Sequence, residues 1–466
     1  MSFVSPEFAL LCLLFFPLYW SLARWPAAQT ALLLLSSYGL YATWSLPFAG
    51  VLLAYSTGIW ALGGWVSQRP DVRLRLALAL TLCVSFLAFF KYYEFVRSSL
   101  AAGLSGLGLS LSWPIMDLVT PVGVSFFTFQ AVSYLVMAGR QPASRRSWPE
   151  VLLFLSFWPT VFAGPIWRAE AFFAQRDAGS TGRAIDTGLA LYWIFLGAAQ
   201  KLVLATWLAD TFVDPVFKYP ESQHGLSLAA GMLGYSLQIV LDFGGYTLIV
   251  TGLARLLGYV LPLNFRQPYL ARNLQDFWTR WHISLSSFIR DYIYIPMGGN
   301  QQGFARTQWH VLAGMLISGV WHGPSWTFVI WGALHGLGVV AFNVYKQAQW
   351  PQWPTFLAQA LTFGFVTVAW VFFRADTGAS AVALLQGLAS NPLGFWPEEL
   401  LPYGALLAFT VLYFYLCSHA QWWESRTVGW MASVPAAEVS FMLAVLCYGV
   451  IAWGPSGVPG FIYYRF

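Results

Sequence analysis

Two histidines in apolar stretches are the first residues whose chemistry needs an explanation. His322 lies in the sequence SGVWHGPSW and His335 in WGALHG, each within a run of apolar residues long enough to enter a membrane. Gly323 and Pro324 follow His322, which predicts that a helix breaks there and that the imidazole faces a cavity. Such an imidazole can take a proton from a hydroxyl group and later return it. The local sequence alone nevertheless favours a buried structural histidine at both positions, more strongly at His335.

Asp242 is another ionisable residue at membrane depth, within SLQIVLDFGGYTLIVTG. A charge inside a membrane is costly, so the carboxylate needs a partner. It could orient an imidazole or pair with a cation such as Arg255. Gly244 and Gly245 beside it allow either a close helix approach or a local unwinding. The spacing is as compatible with a structural ion pair as with a catalytic role.

The longest polar stretch, residues 264–308, contains NFRQPYLARNLQDFWTRWHISLSSFIRDYIYIPMGGN. Arginines alternate with Trp, Phe and Tyr, a pattern typical of an amphipathic helix that lies on the cytoplasmic membrane surface. Arg280, Arg290 and the neighbouring arginines could bind the phosphates of a nucleotide-containing thioester such as coenzyme A. Composition alone favours the alternative that they anchor the segment to anionic lipids.

The elements that position these residues follow from the composition. Of the 466 residues, 58% are hydrophobic and only 9% are charged, whereas about 25% of the residues in soluble domains are charged. Lipid must therefore surround much of the surface. The sequence has no dense Lys/Arg run for nucleic acid, no phosphate-binding glycine loop and no metal-binding Cys/His spacing. We predict an all-α, multi-pass membrane protein with one domain over residues 1–466, no metal site and no permanently bound cofactor.

Eleven apolar segments have the length of a transmembrane helix. They are residues 7–23, 28–45, 48–66, 76–96, 118–138, 184–207, 226–262, 309–345, 355–374, 400–417 and 436–453. The two longest, 226–262 and 309–345, are predicted to contain a break or a second helix. Three prolines and a glycine make residues 148–166 a candidate re-entrant segment.

The basic residues predict the orientation of the chain. Fourteen Lys/Arg residues lie in the loops 67–75, 139–149, 166–183 and 264–308, and only three lie in the loops 91–117 and 208–225. The positive-inside rule places the first set of loops in the cytoplasm and the second set outside. The N-terminus is then outside. Because Met1 is followed by no basic region or cleavage motif, the first span is predicted to be retained.

The chain resembles the membrane-bound O-acyltransferase (MBOAT) family in three stretches: LDFGGYTLIVTGLARLLG, the 264–308 motif quoted above, and SGVWHGPSWTFVIWGALHG. It looks most like the bacterial branch that includes alginate O-acetyltransferase and the D-alanyl transfer protein of teichoic acids. The similarity is densest over about 235–340, and the ending FIYYRF extends it over the whole chain. One position departs from the family, which often reads DFSGYSD. Leu248 replaces the second acid, whereas Asp242 and Tyr246 match.

The resemblance implies a bundle of eleven or more helices with re-entrant pieces around a central tunnel. It implies that His322 is the catalytic histidine and that His282 of the RWHIS motif is a second functional residue. It also implies a coenzyme A thioester donor on the cytoplasmic side, an acceptor reached from outside, and a periplasmic SGNH-type partner that modifies an exopolysaccharide. The predicted catalytic residues are His322, His282 and Asp242. The predicted substrate-binding residues are Arg280, Trp281, Arg290, Trp321, Tyr246 and His335.

The sequence therefore predicts an O-acetyltransferase of the bacterial inner membrane that uses acetyl-CoA, contacts membrane lipids and works with the export machinery of an alginate- or cellulose-like polymer. Broken helices with buried charges also mark transport paths, so a transporter or channel subunit of such a complex is the alternative. A non-catalytic scaffold is a third interpretation. Consumption of acetyl-CoA that depends on His322 separates the enzyme from both.

Overall fold

The computed structural model describes residues 5–68, 71–110, 113–116, 118–142, 145–179, 186–435, 438 and 448. Within these ranges the chain is nearly all helical and contains no strand, as predicted. The predicted span 436–453, apart from Glu438 and Tyr448, and the ending FIYYRF lie outside the described residues. The chain divides into two compact units: Met1–Thr187 with Leu253–Pro262, and Gly188–Gly252 with Leu263–Phe466. The prediction of a single domain stays a prediction.

The helices described in the first unit are α1 (Pro6–Ser21), α2 (Pro26–Ala42), α3 (Leu46–Val66), α4 (Val72–Ser105), α5 (Val124–Arg140), α6 (Trp148–Ser156), α7 (Trp158–Val161) and α8 (Ala169–Asp177). Three of these helices, α1, α3 and α6, begin at residues whose side chains cap them. Ser5 caps α1 by accepting a hydrogen bond from Phe8 N, and Ser45 caps α3 in the same way. Ser147 and Glu150 form a capping box that starts α6.

Residues 148–166 form the broken segment that the prolines predicted. Helix α6 ends at Ser156, Phe157 leaves the helical conformation, and Pro159 stands in the first turn of α7. Residues 151–166 are buried, and the Ser37 hydroxyl accepts a hydrogen bond from the Trp158 amide. Protein groups thus satisfy its irregular backbone, as a break at membrane depth requires. Its re-entrant path through the membrane stays a prediction.

The second unit contains most of the buried helix Gly225–Leu256 and an apolar core that includes Trp331 and Trp370. Its α-helices are α9 (Thr187–Ala198), α10 (Thr206–Leu208), α11 (Asp214–Lys218), α12 (Gly225–Leu256), α13 (Leu274–Arg280), α14 (Ile283–Ile289), α15 (Phe304–His322), α16 (Trp326–Gln347), α17 (Thr355–Arg374), α18 (Gly378–Ser390), α19 (Leu400–Ser418) and α20 (Ala420–Ser433). Short π-helical segments, Ala199–Ala205, Ala209–Val213 and Arg290–Tyr294, interrupt or extend some of these helices.

Seven helical segments among the described residues are long and apolar enough to cross a membrane. They are Leu46–Val66, Val72–Ser105, Thr187–Lys218, Gly225–Leu256, Trp326–Gln347, Thr355–Arg374 and Pro397–Ser418. Helices α1, α2 and α5, where further spans were predicted, have only 16, 17 and 17 residues. The number of eleven or more spans stays a prediction, whereas the multi-pass, all-helical character is confirmed.

The two long apolar segments have different structures. The segment 309–345 contains two helices, α15 and α16, as predicted. In the segment 226–262, α12 is uninterrupted over Gly225–Leu256. The prediction of a break is therefore wrong for these residues. Gly245 of α12 allows close packing against Gly197 of α9. A Cβ atom on Gly245 would lie 2.6 Å from the carbonyl oxygen of Gly197, and a Cβ atom on Gly197 would lie 2.4 Å from the carbonyl oxygen of Gly245.

This contact makes Gly197 a sensitive position. We expect Gly197→Ala to lower the melting temperature of the detergent-solubilised protein, because the new methyl group meets backbone that cannot move away as a side chain could. Gly364→Ala in α17 is the matched control, since nothing lies within 4 Å of its Cβ position. There the change should stabilise the helix by up to about 1 kcal/mol. A higher melting temperature for both variants would contradict the packing.

Candidate functional site

His322 is the last residue of α15, at the point where the chain turns back into α16. Gly323 leaves the helix in an extended conformation, with φ −169° and ψ 159°, and Ser325 caps α16 by accepting a hydrogen bond from Thr327 N. The two helices touch at glycines, since a Cβ on Gly319 would lie 2.4 Å from the carbonyl oxygen of Phe328. The predicted break after His322 is therefore confirmed.

The His322 imidazole is enclosed by aromatic rings and is only 2% exposed. Its ring centroid lies 5.0 Å from that of Trp321, 5.1 Å from that of Trp331 and 5.0 Å from that of Phe373. The ring of His282 lies 6.4 Å away. The structure thus brings the two histidines that the motifs single out into one buried cluster.

His282 joins α13 to α14 in a strained backbone conformation. It has φ 42° and ψ 54°, a left-handed conformation that is uncommon for a residue other than glycine. Such conformations cost about 1–3 kcal/mol and cluster at functional sites. Its ring is fully buried and lies 4.8 Å from that of Phe243. Asn264 fixes the next two residues by accepting hydrogen bonds from Ile283 N at 2.9 Å and Ser284 Oγ at 2.5 Å.

Burial lowers the pKa of His282 to about 3, because an imidazolium ion there would lose its hydration. Its pKa in the unfolded chain is near 6.5, so between pH 6.5 and 3 the unfolded chain binds a proton that the native protein does not. We therefore expect the stability to fall as the pH falls through this window. Between pH 7 and pH 4.5, the melting temperature of the His282→Gln variant should fall less than that of the native protein.

Exposed His419, changed to Gln, is the control for this pH experiment. It makes the same chemical change at the protein surface, and the two His→Gln variants are compared over the same pH range. If His282→Gln and the native protein lost the same melting temperature on acidification, His282 would not be held neutral by burial.

Asp242 pairs with a cation other than the predicted partner. The carboxylate accepts a hydrogen bond from the Lys201 ammonium group, and both side chains are buried. The predicted partner Arg255 is wrong, because thirteen helical residues put it about 20 Å farther along the same helix. Lys201 lies in the π-helical segment Ala199–Ala205, a kind of helix that occurs often at functional sites. Asp242 directly precedes Phe243, so this ion pair fixes the helix that carries the ring against His282.

The ring of Trp331 lies between His335 and His322 in the cluster and contacts both imidazoles. The ring of Trp331 lies 5.1 Å from that of His322 and 4.8 Å from that of His335, which is completely buried. Trp278 contacts His335 at 5.1 Å. Among the described residues, neither nitrogen of His335 nor the indole N–H of Trp278 or Trp331 has a hydrogen-bond partner. A buried donor without a partner is costly, which makes this cluster a candidate for contact with a substrate.

Sequence reasoning missed the two tryptophans, although one signal was present. Trp331 and His335 are four residues apart, which puts both on one face of α16. Trp278 precedes the RWHIS motif by two residues. Its contact with α16 joins segments far apart in the sequence, and no local pattern predicts it.

The other predicted site residues fall into two groups. Trp321, Tyr246 and Trp281 are buried in the same unit, and Trp321 contacts both His282 and His322. Trp281 packs instead against Trp370 at 4.9 Å and lines the apolar core. Arg280 and Arg290 form the second group, more exposed and held by local carboxylates, Asp276 for Arg280 and Asp291 for Arg290, each at 2.6 Å. The contacts described bring neither arginine to the histidines.

Comparison with known proteins identifies the family. The model for "MBOAT, membrane-bound O-acyltransferase family" matches residues 61–382. The chain is 33% identical over 405 residues to a peptidoglycan O-acetyltransferase of Helicobacter pylori, covering 78% of this chain and 75% of that protein. It is 33% identical over 387 residues to the probable alginate O-acetylase AlgI of Azotobacter vinelandii, covering 81% and 75%.

A third relative is more distant. The teichoic acid D-alanyltransferase of Bacillus subtilis is 28% identical over 304 residues, which cover 58% of this chain and 75% of that protein. The family model spans well over half of the chain and includes every predicted site residue. The protein is therefore a multi-pass membrane acyltransferase and a member of the membrane-bound O-acyltransferase family.

Proposed function

We propose that the protein takes an acetyl group from acetyl-CoA on the cytoplasmic side and transfers it toward a glycan outside the membrane. The observation that carries this proposal is the burial of His322 beside His282, at the end of a broken helix and among aromatic rings. Two relatives, a peptidoglycan O-acetyltransferase and a probable alginate O-acetylase, support acetyl as the group transferred. The proposed final acceptor is an exopolysaccharide of the alginate or cellulose type.

His322 is the proposed general base. Its imidazole takes the proton of an acceptor hydroxyl while the hydroxyl oxygen attacks the thioester carbonyl. The tetrahedral intermediate collapses, the carbon–sulfur bond breaks, and the proton passes from the imidazole to the departing thiolate. The enclosing rings of Trp321, Trp331 and Phe373 keep water from competing with the acceptor.

The indole N–H of Trp331 is the proposed donor to the developing oxyanion. It is buried beside His322 and has no hydrogen-bond partner within the described part of the chain. A donor already in place when charge develops on the carbonyl oxygen lowers the barrier to acyl transfer. We expect Trp331→Phe, which keeps an aromatic ring but removes the N–H, to lower kcat by about 10²–10³-fold.

The measurement is acetyl transfer from acetyl-CoA by purified protein in lipid vesicles. Trp167→Phe is the matched control, because it makes the same chemical change at a buried ring of the first unit, where Trp167 packs against Phe172 and Tyr259. An equal loss of kcat in both variants would show that the indole N–H of Trp331 has no special role.

The remaining predictions concern binding and partners. Arg280 and Arg290 are proposed to hold the phosphates of acetyl-CoA, since both lie in the basic 264–308 segment and are partly exposed. The acetyl group is proposed to reach the glycan through a periplasmic SGNH-type partner, with the protein in the bacterial inner membrane. Asp242 is proposed to act through the helix that carries Phe243 and Tyr246 rather than on the substrate itself.

Mass spectrometry of the exported glycans tests the function directly. Cells with and without the protein should differ in an O-linked acetyl group, and the modified glycan identifies the acceptor. Purified protein in vesicles should also release free coenzyme A from acetyl-CoA when an acceptor is supplied. Glycans unchanged in every O-acyl group, together with solute flux through the vesicles, would favour a transporter and contradict the proposal.

A further inference from the structure

A partly enclosed pocket of about 150 Å³ lies in the second unit, next to the elements that hold His282. Its walls come from α12, from the chain that follows residue 262, and from α19. Phe265, one of its lining residues, packs at 5.1 Å against Phe243, which contacts His282. Ligand pockets are usually about 300–1,000 Å³, so this one has room for one group of a larger ligand.

The lining excludes a charged group. None of the lining residues is acidic, basic or histidine, and the walls include Val240, Leu241 and Leu248. Leu248 stands where the family pattern often has an acid, so the pocket lacks the carboxylate that an ammonium group would need. The apolar part of the wall favours an aliphatic chain. The polar lining residues, all neutral, are Gln200, Thr247, Thr251, Asn264, Gln267 and Tyr413.

Asn264 is a lining residue whose side chain is held in place by Ser284. The side chain is 3% exposed, and its Oδ1 already accepts hydrogen bonds from Ser284 Oγ and Ser284 N. Its Nδ2 has no hydrogen-bond partner among the residues described, although the side chain lines the pocket. A buried amide N–H without a partner costs about 1–3 kcal/mol, so a ligand that accepts from it gains affinity.

We propose that this pocket binds a neutral carbonyl group carried on an aliphatic chain, with Asn264 Nδ2 donating to the carbonyl oxygen. Two kinds of molecule carry this group: a bilayer lipid with its ester carbonyls, and the amide-bearing pantetheine arm of a coenzyme A thioester. A lipid could enter past α19, whose outer face exposes Leu407 and Val411. The thioester source rests on the proposed function, whereas the carbonyl chemistry of the pocket does not.

Cys417 provides a probe inside the pocket, because its thiol lies on the α19 wall. The rate at which N-ethylmaleimide modifies Cys417 is measured by mass spectrometry in dodecyl maltoside, a detergent without a carbonyl. One arm adds S-acetylpantetheine, and the other adds dihexanoylphosphatidylcholine. We expect one of these to slow the modification by about tenfold at ten times its Kd, when about a tenth of the sites are empty. Cys12 in α1 is the internal reference and should react at an unchanged rate.

Two substitutions test the site itself. Gly244→Leu should fill the pocket and remove the protection, because the Cβ position has only Phe265 and Gln200 nearby, at 3.9 Å and 4.0 Å. Gly364→Leu is the matched control at an open position and should retain it. Leu248→Phe fills the pocket from the next turn of α12 if Gly244→Leu does not fold. Asn264→Leu should weaken the protection by removing the donor.

The outcomes separate this inference from the proposed function. Protection by S-acetylpantetheine assigns the pocket to the donor, and protection by the lipid alone assigns it to the bilayer. His322→Ala should lose acetyl transfer but keep the protection of Cys417. Acetyl transfer without protection by either probe would overturn the pocket assignment and leave the proposed function standing. Protection that survives in Gly244→Leu and Leu248→Phe would also overturn it.

Discussion

The His322→Ala variant is expected to lose acetyl transfer by about 10²–10⁴-fold, the usual contribution of a general base. This corresponds to about 3–5 kcal/mol in the activation free energy. The expectation rests on the position of the imidazole at the end of α15, enclosed by aromatic rings and 6.4 Å from the ring of His282. The measurement is release of coenzyme A and acetylation of the acceptor, with the variant confirmed in the membrane and at a native-like melting temperature.

Two comparisons make this result specific to His322. His335→Ala removes another buried imidazole of the cluster, and we expect a smaller loss, because the contact described between His335 and His322 runs through the ring of Trp331. An equal loss of acetyl transfer in both variants would show that His335 is as important for the reaction as His322. Normal acetylation in His322→Ala cells would refute its assignment as the base. His322→Gln keeps a hydrogen-bonding side chain without the basicity, and it should be as inactive as His322→Ala.

Local sequence predicts the backbone of the site better than its contacts. Gly323 and Pro324 gave the break after His322, because a glycine and a proline at that point end a helix for reasons that do not depend on neighbours. The RWHIS motif marked His282, but its left-handed conformation depends on the hydrogen bonds that Asn264 makes to the following two residues. Those bonds join positions about twenty residues apart, and no periodicity encodes them.

A glycine in a helix can either allow the helix to unwind or allow a second helix to pack closely against it, and the local sequence does not distinguish the two. Gly244 and Gly245 allowed either unwinding or close packing, and the structure has close packing at Gly245 against Gly197. The choice depends on the partner helix α9, which the sequence of α12 does not contain. The aromatic enclosure of His322 has the same origin, since Phe373 lies in α17 and Trp331 in α16. Composition could show that aromatic residues are abundant but not which imidazole they surround.

The Lys201→Met variant is the second large effect that we expect. Lys201 and Asp242 are both buried, with 3% and 9% of their side chains exposed. Removing only the ammonium group leaves a buried carboxylate without its counter-ion, which costs about 3–5 kcal/mol in stability. The melting temperature in detergent should fall sharply, and acetyl transfer should fall with it, because α12 also carries Phe243 against His282.

The double variant Lys201→Met with Asp242→Leu separates structure from catalysis. Replacing both members of a buried ion pair by apolar residues of similar size is often neutral for stability, so the melting temperature should recover. If Asp242 acts only by fixing α12, acetyl transfer recovers as well. If transfer stays low while the melting temperature recovers, the carboxylate has a role in the reaction itself. A single Lys201→Met variant as stable as the native protein would contradict the stabilising role of the buried ion pair.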